Sequence, residues 1–273
     1  MADTRPAGQA AVGLVLVAAA VATFIAGRVP LSIFVALLCL VAYRELQGLL
    51  VPSARFPTLL AGGAAVAGYL WFGYRGRLIQ LPWVPAVLVL VLLALWVVMH
   101  EATGRAAGAT EDISGTVTAS ALVGLLGAHV LLIRAVPRFG AKGVLAFGLM
   151  VLLNDAFAFV GGRALGRRRL AERLSPGKTV EGVICGFLAS VAIGAIAGFA
   201  MDPPFDPVSG VAFGAALGVL APIGDLAFSA IKRSAGLKES GRILGPLGGV
   251  LDGIDALLFC APAFYWAFRT IAL

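Results

Sequence analysis

The hydrophobic positions of this chain fall into long, nearly unbroken runs. They show neither the alternation of a half-buried strand nor the one-sided stripe of a soluble helix. Residues 6–27 lie between Arg5 and Arg28 without a charge. A shorter run, 29–43, holds Pro30 near its start and ends at Arg44 and Glu45. Further runs cover 56–74, 78–99, 113–133, 143–162, 182–201 and 207–231, and a ninth extends from about Leu244 to Ala267. A helix needs about 20 apolar residues to cross a bilayer. Lipid admits only helices or closed barrels, because no water is present to satisfy the backbone, and these runs lack the two-residue period of a barrel. The pattern predicts an all-α fold, a polytopic transmembrane helical bundle of about nine spans, with the second span the least complete.

Composition narrows the class. Of 273 residues, 60% are hydrophobic and 13% charged, against about 25% charged in a soluble domain. A soluble enzyme, a disordered tail and a fibrous repeat are excluded. The net charge of +7 reads first as orientation in an anionic membrane, not as a nucleic-acid surface. Fourteen of the 21 Lys and Arg fall in the N-terminal tail and in every second loop after it, ten of them between Arg163 and Lys178 and between Lys232 and Arg242. The positive-inside rule places those loops and the N-terminus in the cytoplasm. The first run has the length of a span and only Arg5 ahead of it, so it reads as a span and not as a cleaved signal. Cys39, Cys185 and Cys260 are scattered and His100 and His129 stand alone, so no disulfide or zinc site is expected.

The polar chemistry is uneven along the chain. Residues 1–116, four spans and a polar loop from Gly104 to Thr116, carry almost no acid within a span; residues 117–273, spans five to nine, carry Asp155, Asp225, Asp252 and Asp255 inside theirs. An ionisable group in a membrane costs roughly 3 kcal/mol on insertion scales, so each is a functional candidate. The bland alternative is an ion pair or a helix cap. Asp252 and Asp255 share a helix face at i, i+3, and Asp225, Ser229 and Lys232 form a stripe at i, i+4, i+7. Several carboxylates together suggest a hard cation, which offsets their repulsion and completes its shell with water and substrate phosphates. In the segment Ser175-Pro176-Gly177-Lys178-Thr179-Val180-Glu181-Gly182, either Ser175 or Thr179 caps the next helix. Either choice sets free backbone N–H groups beside Lys178, which suits phosphate. The triplet Arg167-Arg168-Arg169 reads as topology and headgroup contact. No Walker A pattern occurs, and neither an inverted repeat nor a distinctive stripe of small residues stands out.

Three segments carry a resemblance. Asn154-Asp155-Ala156-Phe157-Ala158-Phe159-Val160-Gly161-Gly162-Arg163, then Ser175 to Gly182, then Ser229-Ala230-Ile231-Lys232-Arg233 with Lys238-Glu239 and Gly248-Gly249-Val250-Leu251-Asp252-Gly253-Ile254-Asp255 are similar to the signature segments of phosphatidate cytidylyltransferases, the CDP-diacylglycerol synthases. The likeness covers roughly residues 120–265, and a nine-span layout is typical of the bacterial members. Three positions depart from the pattern: Glu239 stands for Asp, Leu247 for His and Gly253 for Arg. The resemblance implies a multi-pass enzyme of the bacterial inner membrane that converts CTP and phosphatidate into CDP-diacylglycerol and pyrophosphate, with Mg2+ and room for a second cation. Asp225, Asp252, Lys232 and Ser229 would be catalytic, with Asp225, Asp252 and Asp255 as metal ligands. Asn154, Asp155, Arg163, Ser175, Lys178, Thr179, Glu181, Arg233 and Lys238 would bind substrate. The implied partners are CTP, phosphatidate or another lipid phosphate, membrane lipids and a second copy of the chain. Competing readings are a non-catalytic paralogue, motivated by Leu247 and Gly253, and an ion-coupled transporter, against which the basic loops and the lack of a repeat weigh.

Overall fold

The computed structural model describes residues 5–53, 55–103, 108–245 and 248–273. The departure at Leu247 and the loop residue Arg105 lie outside these, as do the side chains of Arg5 and His100. The fold is all-α and polytopic, as expected. The helices are α1 (Arg5–Ala26), α2 (Arg28–Leu50), α3 (Phe56–Tyr74), α4 (Trp83–Thr103), α5 (Ala109–Ala135), α6 (Gly140–Leu165), α7 (Val180–Ala200), α8 (Pro207–Ser234) and α9 (Val250–Ala272). Helix α5 is continuous through a π turn at Ala121–Leu125. Among the described residues eight segments are long and apolar enough to span a membrane, and α1 contributes a shorter apolar stretch, Val12–Ala26.

Four expectations change. The second run does not stop at Arg44 and Glu45: α2 continues to Leu50 as a 23-residue helix, with Glu45 and Gln47 buried. Hydropathy reads a charge as an end, whereas a carboxylate with partners can stay inside. The polar loop after residue 104 is helical from Ala109, where Glu111 and Asp112 sit in the first turn and complement the helix dipole. The ninth helix begins at Val250, not Leu244, because Gly245 and Gly248 hold φ of 56° and 87°, which a right-handed helix cannot accommodate. Between α6 and α7 the basic segment is a β-hairpin, β1 (Arg169–Ala171) paired antiparallel with β2 (Ser175–Thr179), Arg169 opposite Thr179. Turn and strand signals were masked there by the arginine run.

The chain divides into two compact units, Met1–Leu131 with Glu239–Gly253, and Leu132–Lys238 with Ile254–Leu273. In the first, α2, α3 and α5 interlock. The Gln47 Nε2 donates to Thr116 Oγ1 at 2.8 Å and the Tyr43 hydroxyl to the Leu59 carbonyl at 3.2 Å. Gly62 leaves room for Tyr43 and Thr116, and Gly124 for Val66 and Tyr69.

In the second unit a stripe of small residues proves distinctive after all. Gly182, Gly186, Ser190, Gly194 and Gly198 recur every fourth residue along one buried face of α7. Gly182 and Gly186 lie against the Ala158 and Asn154 carbonyls of α6; Gly194 lies against Gly210 of α8, and Gly214 against Ser190. With no Cβ in the way the backbones approach closely, which is how helices gain contact in lipid. The stripe is split between a glycine-rich run and its partners 16 to 32 residues away, so it is clear only once the helices are paired. Phe147, Phe205, Phe213, Phe264 and Phe268 fill the remaining core, with centroids 4.9 Å apart for Phe213 and Phe264 and 5.2 Å for Phe147 and Phe264.

Candidate active site

In the second unit, α6, α8, α9 and β2 bring three aspartates and two lysines together. The stripe on α8 is as the spacing suggested: the Ser229 hydroxyl donates to Asp225 Oδ1 at 3.4 Å one turn away. Lys178, from β2, forms an ion pair with the other oxygen of Asp225. Lys232 is buried and its Nζ lies 3.7 Å from Asp255 Oδ2 on α9; the two side chains are 8% and 7% exposed. Asp255 Oδ1 also accepts from the Ala256 amide at 2.7 Å. The carboxylates of Asp155, Asp225 and Asp255 interact electrostatically with one another, and Lys178 and Lys232 oppose them. Three carboxyl groups thus face two lysines, the acids and Lys232 on helices that span the membrane and Lys178 on the hairpin.

The hairpin is what brings Lys178 there. Thr179, not Ser175, is the N-cap of α7, its hydroxyl accepting from the Gly182 amide at 3.1 Å. Glu181 is in the first turn and accepts from the amides of Arg167 and Arg168 at 3.0 and 3.2 Å, so it ties the base of the hairpin to the helix. Arg233 Nε donates to the Leu174 carbonyl at 3.1 Å and Nη1 to Leu237 at 3.3 Å, clasping the hairpin turn to the end of α8. Ser175 is half-buried in β2, while Arg163 and Lys238 are exposed. Asn154 is wholly buried and donates to the Gly218 carbonyl at 3.4 Å; among the described residues its Oδ1 has no hydrogen-bond partner. It faces the helix packing, whereas Asp155 beside it is exposed.

The first unit holds a second acidic centre. Asp252 Oδ2 accepts from the Gly249 amide at 2.9 Å, the Ser240 amide at 2.9 Å and the Ser240 hydroxyl at 3.0 Å. The bond to Gly249, three residues back, is half of a capping box. Glu45, from α2, accepts from the amides of Val250 and Leu251 at 3.0 and 2.9 Å and from the Ser240 hydroxyl at 3.0 Å. Sequence reading missed Glu45 and Ser240. The signal was present: Glu45 is followed at once by Leu46 and then by Leu49, Leu50 and Val51, which places the acid within a span and not at its edge.

Among the described residues no group of three or more His, Cys, Asp or Glu is arranged to hold a metal ion unaided. Mg2+ requires only one or two carboxylates and takes water and phosphate for the rest. Asp225 and Asp255, with Asp155 nearby, fit that smaller demand.

These features define a polytopic membrane protein with a carboxylate–lysine centre inside its helices and a basic hairpin that delivers one of the lysines. The chain belongs to the Cytidylyltransferase family, whose pattern it matches over residues 9–271. It is 30% identical over 241 residues to the uncharacterised Escherichia coli protein YnbB, covering 86% of this chain and 78% of that one. It is similar to the phosphatidate cytidylyltransferases of Synechocystis, at 37% identity over 45% of this chain and 41% of the relative, and of Bacillus subtilis, at 31% over 58% and 59%. The matched stretch thus spans about half the length of these two named enzymes.

Proposed function

We propose that this protein transfers the cytidylyl group of CTP to phosphatidate, giving CDP-diacylglycerol and pyrophosphate, at the cytoplasmic face of a bacterial inner membrane. The observation that carries the reading is the pairing of two carboxylates of membrane-spanning helices with lysines, Asp225 with Lys178 of the hairpin and Asp255 with Lys232 of α8. Family membership and the names of the relatives support it. In the reaction a lipid phosphate oxygen forms a bond to the α-phosphorus of CTP. The bond from that phosphorus to the bridging oxygen breaks, and pyrophosphate leaves with the electron pair. A phosphate monoester is already ionised at neutral pH, so the chain needs no strong base; positioning and charge neutralisation supply the catalysis. Lys178 and Lys232 take phosphate as point charges, and Ser229 holds the Asp225 carboxylate in register. Mg2+, when bound, would neutralise phosphate charge, with Asp225 and Asp255 as its protein ligands. Arg233, Glu181 and Thr179 serve the site by fixing the hairpin.

A different lipid phosphate as acceptor is the second reading. Gly253 favours it, since this position lacks the cation of the motif it resembles. The test is purified protein with Mg2+, labelled CTP and a panel of lipid phosphates. Labelled CDP-diacylglycerol with equimolar pyrophosphate from phosphatidate is expected. Transfer only to another lipid phosphate selects the second reading, and no transfer to any refutes both.

A further inference from the structure

Glu45 lies outside the three motif segments, at 154–163, 175–182 and 229–255, yet it accepts three hydrogen bonds. Three observations converge on it. It is a carboxylate 8% exposed within a membrane-spanning helix, near its C-terminal end at Leu50, a costly placement. Its two oxygens accept three hydrogen bonds, all from residues 240–251, about 200 positions along the chain: Val250 N to Oε1, Leu251 N and Ser240 Oγ to Oε2. The segment it holds is built around it: a Cβ on Gly241 or on Gly249 would run into the Glu45 carboxylate.

The Ser240 hydroxyl connects this acid to the motif. It stands 3.0 Å from Glu45 Oε2 and 3.0 Å from Asp252 Oδ2, so its one proton is shared between the two acids. The first amides of α9 are donors without helical acceptors; Glu45 takes those of Val250 and Leu251, and Asp252 takes that of Gly249. The start of α9 is thereby held at both ends of its first turn.

We propose that Glu45 is a positioning residue for Asp252: it anchors the Ser240–Leu251 segment and, through the Ser240 hydroxyl and the first turn of α9, sets the Asp252 carboxylate. This rests on the cytidylyltransferase reading, in which Asp252 is one of the catalytic carboxylates that the resemblance implies. Groups that orient a functional carboxylate typically cost about 10–100-fold in activity when removed.

The test compares three variants of the full chain in detergent, each rate divided by the folded fraction. Glu45→Gln keeps the shape but replaces one acceptor oxygen by a donor. It is expected to lower kcat about 10–100-fold while KM for CTP stays near wild type. Ser240→Ala, which removes only the connecting hydroxyl, is expected to lower kcat less, in the same direction. Gln47→Leu removes a neighbouring buried hydrogen bond, to Thr116, and is expected to lower the thermal midpoint with kcat per folded molecule unchanged. Wild-type kcat in Glu45→Gln, or a kcat loss in Gln47→Leu equal to that in Glu45→Gln, overturns the proposal. If Glu45→Gln does not fold, Ser240→Ala decides: a lowered kcat supports the role and a wild-type kcat overturns it. Because rates are referred to wild type, a wild-type protein without transfer activity refutes the assigned reaction, whereas normal turnover in the variants refutes the positioning role alone.

Discussion

Lys232→Met separates what the buried ion pair does for the fold from what it does for the chemistry. Lys232 Nζ and Asp255 Oδ2 are 3.7 Å apart and both side chains are under a tenth exposed. At an effective dielectric of about 20, two unit charges at that distance attract by about 4–5 kcal/mol. Much of this is offset by desolvation, so the pair as a whole adds little, but removing one partner leaves a buried charge without compensation and typically costs about 3–5 kcal/mol. The corresponding change at Lys178, whose pair with Asp225 is 22% and 33% exposed, is discounted by solvent and should cost far less. We expect Lys232→Met to lower the unfolding free energy by about 3 kcal/mol, and Lys232→Met with Asp255→Asn to recover more than half of that. Both variants should lack transfer activity. The assays are denaturant unfolding in mixed micelles and release of pyrophosphate from CTP. A single variant within about 1 kcal/mol of wild type would refute the argument from uncompensated charge. So would a double variant less stable than the single, since the neutral pair leaves no buried charge to explain the loss.

Three further outcomes can be checked simply. Gly194→Leu places carbon against the Gly210 backbone and should force α7 from α8, with loss of folded protein on size exclusion; Gly148→Ala, where a Cβ meets nothing within 4 Å, should be neutral or gain up to about 1 kcal/mol. Gly253→Arg adds a Cβ whose nearest neighbour is Leu244 Cδ1, at 4.0 Å; it should fold normally and, if a cation there contacts phosphate, lower KM for the lipid, whereas an unchanged KM would show that the position is not near the substrate. The Ser209 amide donates to Asp206 at 2.8 Å and holds its carboxyl below the ordinary carboxylate value. Its stabilising effect is therefore complete above about pH 4 and lost as the pH falls through the folded value, so the difference in thermal midpoint between wild type and Asp206→Ala should be constant at neutral pH and shrink in acid.

Much of the fold was legible because lipid simplifies the code. An apolar run of span length has few alternatives, and, the extended second run aside, six of the nine runs lie within helices to within a residue at either end. The errors fall where a polar residue has a distant partner. Glu45 reads as a terminus until Val250, Leu251 and Ser240 come to it. The arginine-rich segment reads as a loop until Glu181 closes it into a hairpin. The stripe on α7 reads as general glycine richness until Gly210 and Gly214 of α8 are set against it.

The same scarcity of charge explains why the candidate residues were found and their duties were not. Where each acid in a span is costly, nearly all of them have work, so naming Asp155, Asp225, Asp252 and Asp255 needed only hydropathy. A carboxylate that caps a helix, one that pairs with lysine and one that faces a phosphate are the same residue in the same kind of run. What distinguishes them is the donor that reaches each oxygen. Asp225 meets a lysine and a hydroxyl, Asp255 a lysine and an amide, and Asp252 two amides and a hydroxyl. Lysines can exchange a carboxylate for a substrate phosphate with little reorganisation, while backbone amides in a helix start cannot leave. In the proposed reaction, therefore, the centre built from Lys178, Lys232, Asp225 and Asp255 is the one that yields to the triphosphate, and the centre built from Glu45, Ser240 and Asp252 is the one that stays fixed.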